Sequence, residues 1–105
     1  YYTAHPQHGI VDAQKDWWPQ AEAVLGYLNA WEISQAPRFL EAAHRSWQFI
    51  LQYLRDTDQG EWYWAYNPDG RPDTINDKAG PWKCPYHNGR ACMQIAHIFK
   101  RLSEN

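Results

Sequence analysis

Helical periodicity is the sequence feature that most restricts the fold of this chain. Three segments, 19–34, 37–56 and 87–102, carry apolar residues at every third or fourth position, and the first two start at a proline. Proline is accepted in the first turn of a helix, where its missing N–H has no partner. Spacings of three and four place apolar side chains on one helix face. The pattern predicts three amphipathic helices, and the short link at 34–36 makes the first two an antiparallel hairpin.

The segments between and before the helices have other patterns. EWYWAY, NPDG and RPDT follow Gly60 and predict a strand, a tight turn and a return strand, because aromatic residues suit pleated surfaces and Asp-Gly favours turns. Residues 1–16 have no apolar period and indicate an incoming loop. The predicted fold class is therefore all-α with one small β-hairpin.

Length and charge limit the classes of function. A chain of 105 residues can form one domain but is too short for two. A net charge of -2 gives no basic surface for nucleic acid. No apolar run approaches the roughly 18 residues of a membrane span, and the N-terminal sequence lacks the features of a signal peptide. We expect a cytoplasmic protein without nucleic-acid or membrane partners.

The stretch WKCPYHNGRAC, residues 82–92, invites a zinc interpretation. Cys84, His87, Cys92 and His97 have gaps similar to those of a zinc knuckle. Residues 88–102 have a helical period, however, and positions 92 and 97 of a helix point about 140° apart. We therefore expect no metal site, and two buried structural thiols at the cysteines.

His87 has two open interpretations. At a helix N-terminus, the N–H donors and the partial positive charge disfavour imidazolium, and a neutral imidazole can accept a proton. Arg90 lies on nearly the same face and can bind or polarise an oxygen atom. The alternative is that His87 only caps the helix. His97, near the apolar stripe, is predicted to be a packing residue, and His44 to lie on a solvated face.

Aromatic residues indicate a surface for a flat ligand. Seven Trp and seven Tyr are more than a small core can bury. WWPQAE places Trp17 and Trp18 in the incoming loop and Glu22 one turn into the first helix. Indole faces and a carboxylate can hold a sugar, because C–H faces stack on the ring while hydroxyls bond the carboxylate. A solvated first-turn Glu22 beside two core tryptophans is the alternative.

Three blocks, WWPQAEAVLGYLNAW, GEWYWAYNPDGRP and DKAGPWKCPYHNGRACMQI, resemble in this order the C-terminal part of the N-acylglucosamine 2-epimerase superfamily, especially its cellobiose 2-epimerases. The resemblance implies an (α/α)6 barrel, of which residues 1–105 would be a single partial domain, the last quarter, with about three of twelve helices. It also implies epimerisation at C2 of a reducing-end sugar, a mono- or disaccharide, without metal or other cofactor.

The resemblance also assigns residues. His87 matches one of two histidines that remove and return the C2 proton through an enediol. Arg90 and Glu22 match substrate contacts. Trp17, Trp18 and Trp82 match rings that line the sugar subsites.

No other histidine of this chain matches the second catalytic one. We therefore expect a C-terminal fragment, inactive alone and self-associating through an open barrel face. Two alternatives remain: a carbohydrate-binding or structural helical remnant without catalysis, and an aldose-ketose isomerase on the same fold.

Overall fold

The computed structural model describes residues 3–104, so Tyr1, Tyr2 and Asn105, at the ends of the predicted domain, lie outside the described residues. Three helices dominate, and the prediction of a mostly helical fold is confirmed. They are α1 (Trp17–Ser34), α2 (Pro37–Phe49) and α3 (Tyr86–Ser103). The second predicted helix extended to residue 56, whereas α2 passes into a π-helical turn, Ile50–Leu54. No helix within 3–104 is both long and apolar enough to cross a lipid bilayer.

A two-residue link joins α1 to α2. Gln35 takes the left-handed conformation, with φ of 56°, and its N–H donates to the carbonyl of Trp31 at 2.7 Å. This geometry ends a helix by satisfying a free carbonyl. Pro37 then occupies the first turn of α2, where it needs no hydrogen-bond partner. The predicted helical hairpin is confirmed.

The core lies on the facing sides of the helices. It contains apolar residues of all three helices, of the π-helical turn and of the following segment: Trp17, Ala21, Val24, Leu25, Leu28, Ala43, Ile50, Leu54, Trp62, Ala91, Ile95 and Ile98. Burying a large side chain of this kind stabilises the fold by about 1.5–3 kcal/mol. Phe99 and Leu102 continue the apolar spacing of the predicted helix 87–102 but are 51% and 38% exposed. The reason is that α3 packs mainly on α1, which covers only one side of the stripe.

Three short strands lie within residues 3–16, in the segment predicted as a loop. Strand β1 (Thr3–His5) pairs antiparallel with β2 (Gly9–Asp12), and β3 (Lys15–Asp16) pairs with β4 (Ala65–Tyr66). The prediction of an irregular incoming segment is therefore wrong over the part that the structure describes. Backbone pairing with a distant strand, rather than any local apolar period, orders residues 15 and 16.

The predicted β-hairpin is present in a reduced form. Its turn closes where the N–H of Gly70 donates to the carbonyl of Asn67 at 3.1 Å. Beyond the turn, Tyr66 and Pro72 form a single bridge. The other edge of β4 pairs with β3, and this pairing brings the chain to the start of α1.

Candidate active site

Three predicted site residues meet where the N-terminal ends of α1 and α3 come together. The Nδ1 atom of His87 lies 2.8 Å from Oε1 of Glu22, and the Arg90 guanidinium donates to both carboxylate oxygens of Glu22. The side chains of Glu22, His87 and Arg90 are 32%, 32% and 34% exposed. The cluster is thus held together by hydrogen bonds yet open to a small molecule.

The local start of α3 places His87 in this cluster. Pro85 occupies the N-cap position, and its carbonyl accepts the N–H of Gly89 at 2.9 Å. No side chain caps the helix, and the imidazole of His87 points to Glu22 of α1 instead. The capping interpretation of His87 is therefore wrong.

The charges of the cluster define how the imidazole is held. The Arg90 hydrogen bond, followed by that of His87, lowers the pKa of the Glu22 carboxyl below its usual 4.5. An ionised carboxylate only accepts hydrogen bonds, so Nδ1 of His87 is the donor. No described residue hydrogen-bonds to Nε2 of that ring. The bond to Glu22 therefore leaves Nε2 as the nitrogen that can exchange a proton with a ligand.

Arg90→Gln is expected to raise the pKa of Glu22 toward 4.5, because Arg90 is the main cause of its lowering. A carboxyl with a lowered folded-state pKa stabilises the fold above its unfolded pKa. That contribution is lost as pH falls through the folded value. The variant should lose the part of this contribution that Arg90 provides, while the part from His87 remains. Carbon-detected NMR titration of the Glu22 carboxyl measures the change.

Arg101→Gln is the matched control for this titration. Arg101 also joins α3 to α1, through a 2.8 Å ion pair with Glu32. Its removal should leave the titration of Glu22 unchanged. An equal response to both substitutions would contradict a specific Arg90 contact.

Aromatic rings surround the imidazole of His87. The ring centroids of Trp17, Trp18 and Tyr86 lie 5.3, 5.7 and 4.9 Å from that of His87. Trp17 and Trp18 are the first residues of α1, so their predicted place in a loop is wrong. Trp17 is 3% exposed and supports the imidazole from the core, whereas Trp18 is 39% exposed. Only Trp18 of this pair offers a substantial ring surface to a ligand.

Trp82 lies outside this cluster. Its side chain is 88% exposed in the loop before α3, and it contacts no other aromatic ring among residues 3–104. The structure therefore brings together five of the six predicted site residues and leaves Trp82 free on the surface.

Other sequence predictions need correction. Cys84 and Cys92 are both exposed, not buried: Cys84 lies in the loop before α3, and Cys92 lies on α3 at an open cleft beside residues 55–62. His97 is exposed on α3 and does not pack in the core, while His44 is exposed as predicted. Within the range 3–104, no three His, Cys, Asp or Glu side chains converge as a metal site.

Three residues behind His87 were not predicted from the sequence. Lys83 is buried, and its ammonium contacts Glu61, which in turn accepts a hydrogen bond from Asn88. Glu61 lies in the run predicted as a strand, and no spacing in the sequence connects it to Lys83 or Asn88.

Comparison with known proteins identifies relatives of this chain. The family model for N-acylglucosamine 2-epimerase (GlcNAc 2-epimerase) matches residues 1–91. Cellobiose 2-epimerase of Ruminococcus albus is 45% identical over 86 residues, which are 81% of this chain and 22% of that protein. N-acylglucosamine 2-epimerase of Mus musculus is 31% identical over 88 residues, 84% of this chain and 21% of the relative. The chain thus spans about a fifth of the length of these relatives.

Solved structures of other proteins also superpose on this chain. Cellobiose 2-epimerase from Bacillus thermoamylovorans B4167 superposes with a TM-score of 0.79 at 41% identity, over 86% of this chain and 23% of that chain. A D-mannose isomerase superposes with a TM-score of 0.84 over 93% of this chain and 25% of its own. Its 21% identity supports a common fold only.

Proposed function

The chain belongs to the N-acylglucosamine 2-epimerase family, and we propose on that premise that it carries one half of the proton-transfer site of a sugar 2-epimerase. Its helices form a segment of an (α/α) barrel. The observation that carries the proposal is the Glu22 carboxylate, which joins His87 and Arg90 at an accessible junction of two helix N-termini. We propose that the segment is the last quarter of a twelve-helix barrel.

The proposed reaction starts from the open-chain form of a reducing-end sugar, as in a β-linked disaccharide. The C2–H bond next to the C1 aldehyde is acidic, and Nε2 of His87 accepts this proton as general base. The electron pair of the bond moves toward C1, and the carbonyl oxygen becomes the oxygen of an enediolate. Arg90 and the N-terminal end of α3 place positive charge close to this developing negative charge. Glu22 fixes the tautomer of His87 that leaves Nε2 free.

Epimerisation also requires a proton from the opposite face of the planar intermediate. We propose that this second group comes from a part of the protein other than this segment, since His87 serves one face only. With His87 alone, the proton returns to the face from which it left. The isolated chain is therefore proposed to be inactive as an epimerase.

Exposed rings provide the proposed contacts to the sugar. Trp18 and Trp82 have free indole faces that can stack on sugar C–H groups. The carboxylate of Glu22 is one-third exposed and can accept a hydrogen bond from a hydroxyl in addition to its contacts with Arg90. Trp17, predicted to contact substrate, is proposed instead to support His87 from the core.

A chimera tests this function. The matching segment of the Ruminococcus albus cellobiose 2-epimerase is replaced by this chain, and cellobiose is incubated with the chimera in D2O. We expect the C2 epimer, with deuterium at C2, detected by NMR. The parent enzyme without the segment is the inactive control.

The alternatives give different results in the same assay. A folded chimera that releases only a ketose would support an aldose-ketose isomerase. A folded chimera with saturable quenching of Trp fluorescence by cellobiose, but no exchange at C2, would indicate that the chain is a carbohydrate-binding module without catalysis. Either result contradicts the proposed epimerase.

A further inference from the structure

A buried lysine lies behind the candidate active site. Lys83 is 2% exposed and is the largest fully buried side chain of the described residues. Its Nζ lies 2.8 Å from the carbonyl of Trp62, 2.6 Å from that of Lys78 and 3.3 Å from Oε1 of Glu61. These three acceptors match the three N–H donors of an ammonium group. A buried charge requires such partners, so the surrounding loop is organised around Lys83.

Glu61 connects this ammonium to the start of α3. Its backbone has φ of 63°, a left-handed conformation that residues other than glycine rarely adopt. Its Oε1 also accepts the N–H of Trp62 at 2.9 Å and a short hydrogen bond from the side-chain amide of Asn88. Asn88 is 8% exposed and directly follows His87. The unusual backbone conformation of Glu61 is thus held by contacts on two sides.

A second path runs from Lys83 to the imidazole itself. The ammonium lies 4.9 Å from the centre of the Trp17 ring, and the same ring lies 5.3 Å from that of His87. Lys83 is therefore connected to His87 in two ways. Glu61 and Asn88 connect it to the main chain next to His87, and Trp17 connects it to the imidazole ring.

We propose that Lys83, acting through Glu61, is a positioning residue that holds the His87 imidazole against Glu22. Neither Lys83 nor Glu61 touches the solvent-facing side of the imidazole, so neither is proposed to take part in proton transfer. The catalytic consequence rests on the proposed function, whereas the position of the ring can be measured without catalysis.

The test compares three variants of the full chain by NMR. Lys83→Met removes the charge but keeps an unbranched side chain. Glu61→Gly removes the carboxylate and suits the left-handed backbone, so the loop can still fold. Lys78→Met is the matched control for the loss of a loop lysine. The Lys78 ammonium bonds Asp56 at 2.7 Å and the main-chain carbonyl of Gly60 at 3.1 Å but not the Glu61 carboxylate, and the Lys78 carbonyl that accepts from Lys83 is retained in the variant.

The readout is the chemical shift of the two His87 ring C–H protons, which depends on their distance from the rings of Trp17, Trp18 and Tyr86. We expect both shifts to move toward those of an unstructured histidine in Lys83→Met and Glu61→Gly, and to stay unchanged in Lys78→Met. Unchanged shifts in Lys83→Met and Glu61→Gly would overturn the proposal. Equal changes in all three variants would also overturn it, because they would indicate a general loosening.

The consequence for catalysis is tested separately in the chimera. A displacement of a catalytic group by about 1 Å can lower a rate by about 10²-fold. Lys83→Met is expected to lower the C2 exchange rate by about this factor at saturating substrate. If the wild-type chimera is inactive, the proposed function fails, while the NMR result for Lys83 is unaffected.

Discussion

His87→Ala is expected to lower the rate of C2 proton exchange by about 10²–10⁴-fold in a folded chimera that carries this chain, the factor typical of a lost general acid or base. Nε2 of His87 is the ring nitrogen left free by the bond between Nδ1 and Glu22. Alanine removes that nitrogen but leaves Glu22 paired with Arg90. The exchange rate is measured by the loss of the C2 proton signal of cellobiose in D2O.

His44→Ala is the control for this experiment. His44 is exposed on α2 and belongs to no contact of the Glu22 cluster. Its loss should leave both the exchange rate and the thermal unfolding of the chimera unchanged. A His87→Ala chimera that exchanges as fast as the wild type would assign the proton transfer to another group.

The helices could be predicted because the responsible signals are local. Pro37 and the apolar spacing of α2 lie within a few residues of the structure they specify. The π-helical turn at the end of α2 could not be predicted in this way. The N–H of Arg55, which follows that turn, bonds the carbonyl of Ile50, five residues back, and residues 50 and 54 are both buried. Tertiary packing rather than periodicity selects such a turn.

The contact between Glu22 and His87 could not be predicted from local signals. The two residues are 65 positions apart, and no spacing rule connects them. Each was predicted separately, from its place near a helix start and from the family resemblance, and the structure shows that α1 and α3 bring their first turns together. Lys83 and Glu61 lie in the blocks that carry the resemblance, but neither stands at a predicted helix start. The partners of Lys83 include two main-chain carbonyls, whose positions depend on loop conformation rather than on residue type.

The residue at which α1 begins decides which of two tryptophans, Trp17 or Trp18, faces a ligand. With Trp17 and Trp18 placed in a loop, either ring could face a ligand. The helix begins at Trp17, whose N–H donates to the carbonyl of Trp64 at 2.9 Å. This bond turns Trp17 into the core and Trp18 outward. Pairing between β3 and β4 sets this register, and strands of two residues leave no periodic pattern in a sequence.

The same pairing buries a carboxyl group at Asp16. Asp16 is 5% exposed, directly before α1, and one of its oxygens, Oδ1, has no hydrogen-bond partner among the described residues. Burial, with repulsion from Asp12 and Asp73, raises the pKa of Asp16 from 3.8 to about 6, although a hydrogen bond from Trp64 opposes the change. The ionised form is therefore unfavourable in the folded chain.

The sign of the effect on stability follows from proton binding. Between pH 3.8 and about pH 6 the unfolded chain has released the Asp16 proton while the folded chain keeps it. Stability falls with rising pH wherever the folded state binds more protons. The loss of folding stability caused by ionising Asp16 is therefore absent below the unfolded pKa, grows through this interval and is complete above about pH 6. The difference between the two pKa values corresponds to about 3 kcal/mol.

Asp16→Asn is expected to increase the free energy of unfolding by up to about 3 kcal/mol at pH 7.5, and by little near pH 3.5, because asparagine cannot ionise. Asparagine and aspartate are about equally favoured at the N-cap position that Asp16 occupies, and the Asp16 side chain makes no capping hydrogen bond, so the substitution should not change capping. Urea unfolding followed by circular dichroism across this pH range measures the difference. Asp58→Asn, in an exposed loop, is the control and should change stability by less than about 0.5 kcal/mol. A gain for Asp16→Asn that is equal at both pH values would contradict the buried charge of Asp16 as the cause of the stabilisation.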